Sequence, residues 1–340
     1  MTALSVVLCA ILSPVLGLSM FLPQVLTLIP VLLLALLGFV GPVSAAACSA
    51  VFIAVGATFF GGWGALCVVV LLVPVVIASA VALEREQPFW QAVFAGGVAM
   101  FASMGVVIAL LTVIMGSDVV TAISQMMTQM LDKSGALGDS ILAIMMQVGL
   151  LAAPQGAEPG AGAFTLDPQT RTQLIGALVM ATDSVLRLEI PMQMATGSVT
   201  AGLLGQAALR KGMLRRGEKV DYPRLATWHV PKGWGRILGG TLAALYVLAR
   251  LVPSSMTTMF YVFSGVFNQV FALQGVAALC YMLEKRGKSR AWQRVVFVLG
   301  YFFLGTFGMM LGIADQAMDF SHRREELDQP GNPFDPRQGA

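Results

Sequence analysis

The chain has 340 residues, of which 57% are apolar and only 11% charged, with a net charge of +3. Soluble domains carry about 25% charged residues, so an ordinary soluble globular domain is excluded. The net charge itself says nothing about nucleic acid, since its distribution is what matters, and no nucleic-acid partner is expected.

The first charge is Glu84, and residues 87–117 are again uncharged. Runs of about 20 apolar residues fit the ~30 Å hydrocarbon layer as helices. The expected fold is all-α, a polytopic helical membrane bundle in contact with the lipid bilayer. Spans are predicted near residues 3–20, 22–40, 43–60, 63–83, 90–115, 190–209, 236–252, 256–282 and 292–314. Pro14, Pro23 and Pro30 interrupt the first two. Gly41-Pro42 is a turn signal, and the glycines of "GATFFGGWGAL" mark the turn between the third and fourth spans. Residues 1–20 lack a basic leader, so no cleavable signal is expected.

Charge distribution gives an orientation. Residues 209–236 hold eight basic and two acidic residues, whereas 116–189 hold three basic and seven acidic ones. Short basic loops stay cytoplasmic. The expectation is therefore a multi-pass protein of the bacterial cytoplasmic membrane, N-terminus inside and C-terminus outside. The basic loops, including "EKRGKSRAWQR", would meet anionic lipid. Trp90, Tyr222, Trp228, Trp234 and Trp292 sit near the inner interface, where aromatic anchors belong. The organisation predicted is a membrane bundle over 1–115, an external helical cap and loop over 116–189, a second bundle over 190–314 and a polar external tail over 315–340. Within the cap, "VVTAISQMMTQMLDK" and "ILAIMMQVGLL" have helical apolar spacing. Asp167-Pro168 signals a helix start, and Pro191 kinks or ends that helix.

The last span ends in "GIADQAMDF". Gly308, Gly312, Asp315 and Asp319 fall on one helical stripe. The glycines let a neighbouring helix approach. The carboxylates can bind a cation or basic ligand group, or can simply solvate or pair at the helix end. Arg250, near the outer end of its span, is a candidate partner for Asp315, or snorkels to the interface. Asn268 and Gln274 serve either as helix–helix glue or as ligand contacts, with Gly275 on a small, packable face. Asp183, Arg187 and Glu189 can form external ion pairs, Asp183 and Arg187 in the favourable i,i+4 order. The cysteines and the isolated His229 and His322 lack metal-ligand spacing, so no metal or disulfide is expected. No catalytic motif is found, and neither an enzyme activity nor a cofactor is expected.

Four stretches, "ATWHVPKGWGRILGG", "FALQGVAALCYMLEKRG", "FLGTFGMMLGIADQAMDF" and the basic residues after it, run from residue 222 to 324. In them the chain resembles the YybS-type family of predicted bacterial membrane proteins. That family is similar in its membrane core to the substrate-binding components of energy-coupling-factor vitamin transporters. The resemblance implies small-molecule binding or transport, with Asp315, Asp319, Arg250 and Asn268 facing a ligand. Two alternatives stay open: a non-catalytic envelope scaffold that binds a membrane-protein partner, and lipid-carrier handling.

Overall fold

The structure, a computed structural model, describes residues 28–147, 168–223, 226, 228–230, 232–303 and 305–318. Among these residues every regular element is helical. The expected span 3–20 and the tail 319–340, with Asp319, lie outside the described residues.

The described part of helix α1 is Leu28–Phe39 and includes Pro30. It ends at Gly41, whose φ of 124° favours glycine, and Pro42 then opens α2 (Pro42–Glu84) at its first position. α2 reverses direction at Gly61, which has a φ of 60°. A Cβ on Gly56 would lie 2.8 Å from the Gly64 carbonyl oxygen, a contact between residues that a straight helix keeps about 12 Å apart. The two limbs pack as a hairpin, with Ala45 against Leu72 and Val76. The glycine-rich turn is where the sequence placed it.

Helix α3 (Phe89–Met115) closes in a left-handed cap at Gly116, φ 65°. Short helices α4 (Val119–Lys133) and α5 (Ala136–Gln147) follow. They form a cap with its own core, in which Met127, Leu131 and Leu142 meet Leu174, Ile175 and Leu178. Those last three belong to α6 (Pro168–Arg215), a 48-residue helix about 72 Å long. It exceeds the ~30 Å hydrocarbon layer more than twofold. α6 runs unbroken through Pro191, so cap and bundle share one helix. Below the cap, α6 crosses α3 closely: a Cβ on Gly202 would sit 2.5 Å from the Val93 carbonyl oxygen.

The chain returns through α7 (Lys232–Leu251) and α8 (Pro253–Lys285). In place of one span over 292–314 come two 14-residue helices, α9 (Arg290–Phe303) and α10 (Gly305–Met318). Each is about 21 Å long, shorter than the hydrocarbon layer. Among the described residues three helices are long and apolar enough to cross a membrane: Gly61–Glu84, Phe89–Met115 and Met256–Lys285.

The turns before α2, before α3 and before α7 gather at one end of the bundle. Gly41 lies beside Arg216, and Asp221 bonds the Phe89 N–H. This end carries the basic loops. It is sealed by aromatic rings: Phe89 stacks on Trp228 at 5.4 Å, with Trp90 and Tyr222 at its edges. Trp228 is 4% exposed, a core residue rather than the interfacial anchor expected from its neighbourhood. It is fixed there by its ring N–H, which donates to the Pro223 carbonyl.

Candidate functional site

The most concentrated polar centre lies where α10 crosses α8. Gly275, Gly308 and Gly312 bring the two backbones together: a Cβ on Gly275 would collide with the Gly308 carbonyl oxygen, and one on Gly312 with that of Phe271. Only residues without a side chain allow so close a crossing. The side chains next to the notch then meet. Gln274 Nε2 donates to Asp315 Oδ2 at 2.7 Å and to Gln316 Oε1 at 2.9 Å. Gln274 Oε1 accepts the Val230 N–H at 3.4 Å. Gln274 and Asp315 are 2% and 1% exposed. Gln316 Nε2 is buried and has no hydrogen-bond partner, and its side chain lies against Gly235. One carboxylate and two amides therefore tie α8, α10, the segment before α7 and the first turn of α7 together. Chemically, a buried carboxylate beside amide oxygens suits a cationic or hydrogen-bond-donating group.

This geometry corrects the expected place of Asp315. It lies beside the first turn of α7, not near the far end of that helix where Arg250 stands, because the chain passes through two short helices, α9 and α10. Arg250 stands fifteen residues beyond Gly235, about 22 Å along α7, so the expected Arg250–Asp315 pairing does not form. Arg250 is exposed; its guanidinium stacks 5.3 Å from the Tyr246 ring and donates to the Tyr246 hydroxyl at 3.2 Å. Asn268 is also exposed and makes no side-chain hydrogen bond among the described residues. Its neighbour Gln269, turned 100° around the helix, donates to Thr200 at 2.9 Å and glues α8 to α6. The structure thus brings together Gln274, Asp315, Gly275, Gly308 and Gly312, and leaves Arg250 and Asn268 outside.

In the cap, Arg187 pairs with Asp183 at 2.8 Å and with Asp118 at 3.0 Å. Hydrogen bonding to Asp183 raises the Arg187 pKa further above its usual value. Glu189 is not part of that pair; it accepts from Gln193 at 3.3 Å. The more enclosed cation is Arg171, which reaches Asp139 at 2.8 Å and the Leu131 carbonyl at 2.7 Å.

Two further polar groups were hidden in the sequence. Arg210, counted there with the basic loop, is 2% exposed. It donates to the carbonyls of Gln87 at 2.8 Å and Asp221 at 2.9 Å, lies over the Phe89 ring, and leaves its Nε without a partner. Gln206, one turn earlier, donates to Ser79 at 2.9 Å. Four-residue spacing from Gln206 to Arg210 is a usable signal for a shared face, but the run Arg210-Lys211 reads first as solvated charge. Among the described residues no group of three or more His, Cys, Asp or Glu could hold a metal ion. A cavity of about 460 Å³ between α1 and α2 is lined by apolar side chains, among them Leu28, Leu32 and Phe52.

Residues 162–316, a little under half of the chain, match a family described as "Predicted membrane protein (DUF2232)". The match and the apolar helices agree. The chain is an integral membrane protein. The matched stretch of this membrane protein is similar to that family and contains α6 to α10, hence Gln206, Arg210, Gln274, Asp315 and Gln316. No curated protein and no solved structure matches the chain.

Proposed function

We propose that this membrane protein is a non-catalytic binding component that takes up a small polar molecule at the Gln274–Asp315–Gln316 centre. The observation that carries the proposal is Asp315 itself, 1% exposed within an otherwise uncharged helix, with a hydrogen bond from Gln274 at 2.7 Å. An ionisable group in such a place is costly to keep and marks a binding or relay function. The carboxylate and the Gln316 Oε1 select a ligand bearing a cationic or N–H group. The excess of Lys and Arg in its loops supports a cytoplasmic side for the basic end, with the cap on the other side of the cytoplasmic membrane. The test is native mass spectrometry of the full chain extracted in mild detergent. A retained cationic small molecule that is lost in Asp315→Asn supports the proposal; a chain that carries no small molecule, or the same one in both forms, overturns it.

A second reading has its own observation. α7 rests mainly on α8, and a Cβ on Gly233, Gly239 or Gly240 would meet nothing within 4 Å. At Gly202, Gly212, Gly275 and Gly312 such notches are filled by a neighbouring helix. An assembly component would fill these with a membrane-protein partner. In the same experiment that reading gives a stoichiometric protein complex, abolished by Gly240→Leu and untouched by Asp315→Asn.

A further inference from the structure

The corner between α8 and α9, which also carries Glu284, holds three cations with no ion pair among the described residues. Residues 285–294 contain five basic residues and no acid. Gly287, with a φ of 68°, turns the chain so that Lys285, Arg286 and Lys288 stand together at the end of α8. All three are exposed, and none has a side-chain hydrogen bond or ion pair among the described residues. In the other basic loop three arginines are engaged by the chain itself. There Arg216 pairs with Glu218 at 2.7 Å, Arg210 is buried on two carbonyls, and Arg215 covers the Phe39 ring at 5.3 Å.

Next to the free cations lies a helix with two distinct faces. α9 packs Gln293, 8% exposed, and Gly300 against α8, where Cys280 donates to the Gln293 carbonyl and Val276 fills the space over Gly300. Its other face presents Trp292, Val295 and Leu299, which are 59%, 46% and 50% exposed. They recur at i, i+3 and i+7, one stripe of a helix too short to span the layer. Trp292 stands four residues after Lys288, about one turn away. Unpaired cations, then an aromatic ring, then aliphatic side chains reproduce the order of a phospholipid: anionic headgroup, carbonyl region, acyl chain.

We propose that the α8–α9 corner is a binding site for an anionic phospholipid, its phosphate held by Lys285, Arg286 and Lys288 and its chains lying along Trp292, Val295 and Leu299. The site is independent of the Asp315 centre and of the ligand proposed there. Each juxtamembrane cation strengthens attraction to an anionic bilayer about fivefold, so the three together account for about a hundredfold.

The test uses the full chain in detergent, titrated separately with phosphatidylglycerol and phosphatidylcholine and read by native mass spectrometry. The anionic lipid should bind tightly in a salt-sensitive way, and the neutral one should not. The triple variant K285Q/R286Q/K288Q should weaken it about a hundredfold, and K288Q alone about fivefold should the triple variant fail to fold. A comparator, R216Q/K219Q, should leave it unchanged. Equal affinity for the two lipids overturns the proposal. So does a loss no larger in the corner variants than in the comparator. Inorganic phosphate competing at millimolar concentration would point to a soluble anion instead, and an acidic protein retained in place of lipid would do the same for a protein partner.

Discussion

Gln274 Nε2 donates to Asp315 Oδ2 at 2.7 Å across the α8–α10 crossing. Both groups are buried, so this hydrogen bond replaces one that water supplies elsewhere. Asp315→Leu removes the acceptor and leaves a buried amide hydrogen, at a cost of about 1–3 kcal/mol. Asp315→Asn offers an oxygen in the same place and costs less. Thermal unfolding in detergent should therefore rank wild type, then Asn, then Leu. A leucine variant as stable as wild type would show that the pair contributes no net stability.

The glycine notch beneath that pair predicts a sharper contrast. Gly275→Ala sets a methyl group on the Gly308 carbonyl, backbone against backbone, so the helices must separate. Separation also breaks the Gln274 bonds, and the loss of stability should reach several kcal/mol, at the upper end for overpacking. Gly240→Ala adds the same methyl group where nothing lies within 4 Å, and should be neutral within about 1 kcal/mol. Comparing the monodisperse yield and melting temperature of the two variants checks the geometry. Equal behaviour would contradict the close crossing.

What could be read in advance follows from the range of each cause. The α2 hairpin depends on Gly56, Gly61 and Gly64, all in one short stretch, and was legible. The Gly308–Gly312–Asp315 stripe is also local, and its face points at α8 as periodicity requires. The partner on that face was not legible, because whether Gln274 or Arg250 meets Asp315 depends on how α7 and α10 stack. Asn268 and Gln269 are adjacent polar residues in an apolar helix, and only the position of α6 decides which is buried. Hydropathy runs continuously from α9 into α10, so the two short helices look like one span. Arg210 is the clearest miss, since its burial requires the segment that follows α6 and the turn at Gln87, 123 residues away, to fold over it together.

In the cap, two arginines with similar partners should differ in effect. Arg187 bridges Asp118 and Asp183 but its side chain is 52% exposed. Water and salt screen such pairs to about 0–1 kcal/mol. Arg171 is 23% exposed and also holds the Leu131 carbonyl at the end of α4. Arg171→Ala should cost about 1–3 kcal/mol, and Arg187→Ala less than 1 kcal/mol, vanishing in high salt. Limited proteolysis of the cap, at low and at 1 M salt, reads the difference. Similar cleavage of both variants in high salt would sink it.

Arg210 decides whether the basic end stays closed. Its two terminal nitrogens bind carbonyls from the turn before α3 and the segment after α6, residues Gln87 and Asp221. Asp221 in turn accepts the Phe89 N–H at 2.9 Å, placing a carboxylate at the start of α3, where the helix dipole favours it. One guanidinium thus fastens two loops and, through Asp221, a helix terminus. Removing it leaves buried carbonyls unpaired, and Arg210→Met should cost about 3–5 kcal/mol, the range for breaking a buried charged contact. Lysine keeps the charge but has no planar fork to reach both carbonyls, so Arg210→Lys should recover only part of the loss. Asp221→Asn retains an acceptor for Phe89 and should be the mildest of the three. Hydrogen exchange of residues 85–93, measured in detergent micelles for each variant, should rise in the order Asp221→Asn, Arg210→Lys, Arg210→Met. Unchanged exchange in Arg210→Met would show that the aromatic cluster around Trp228 closes this end without the arginine.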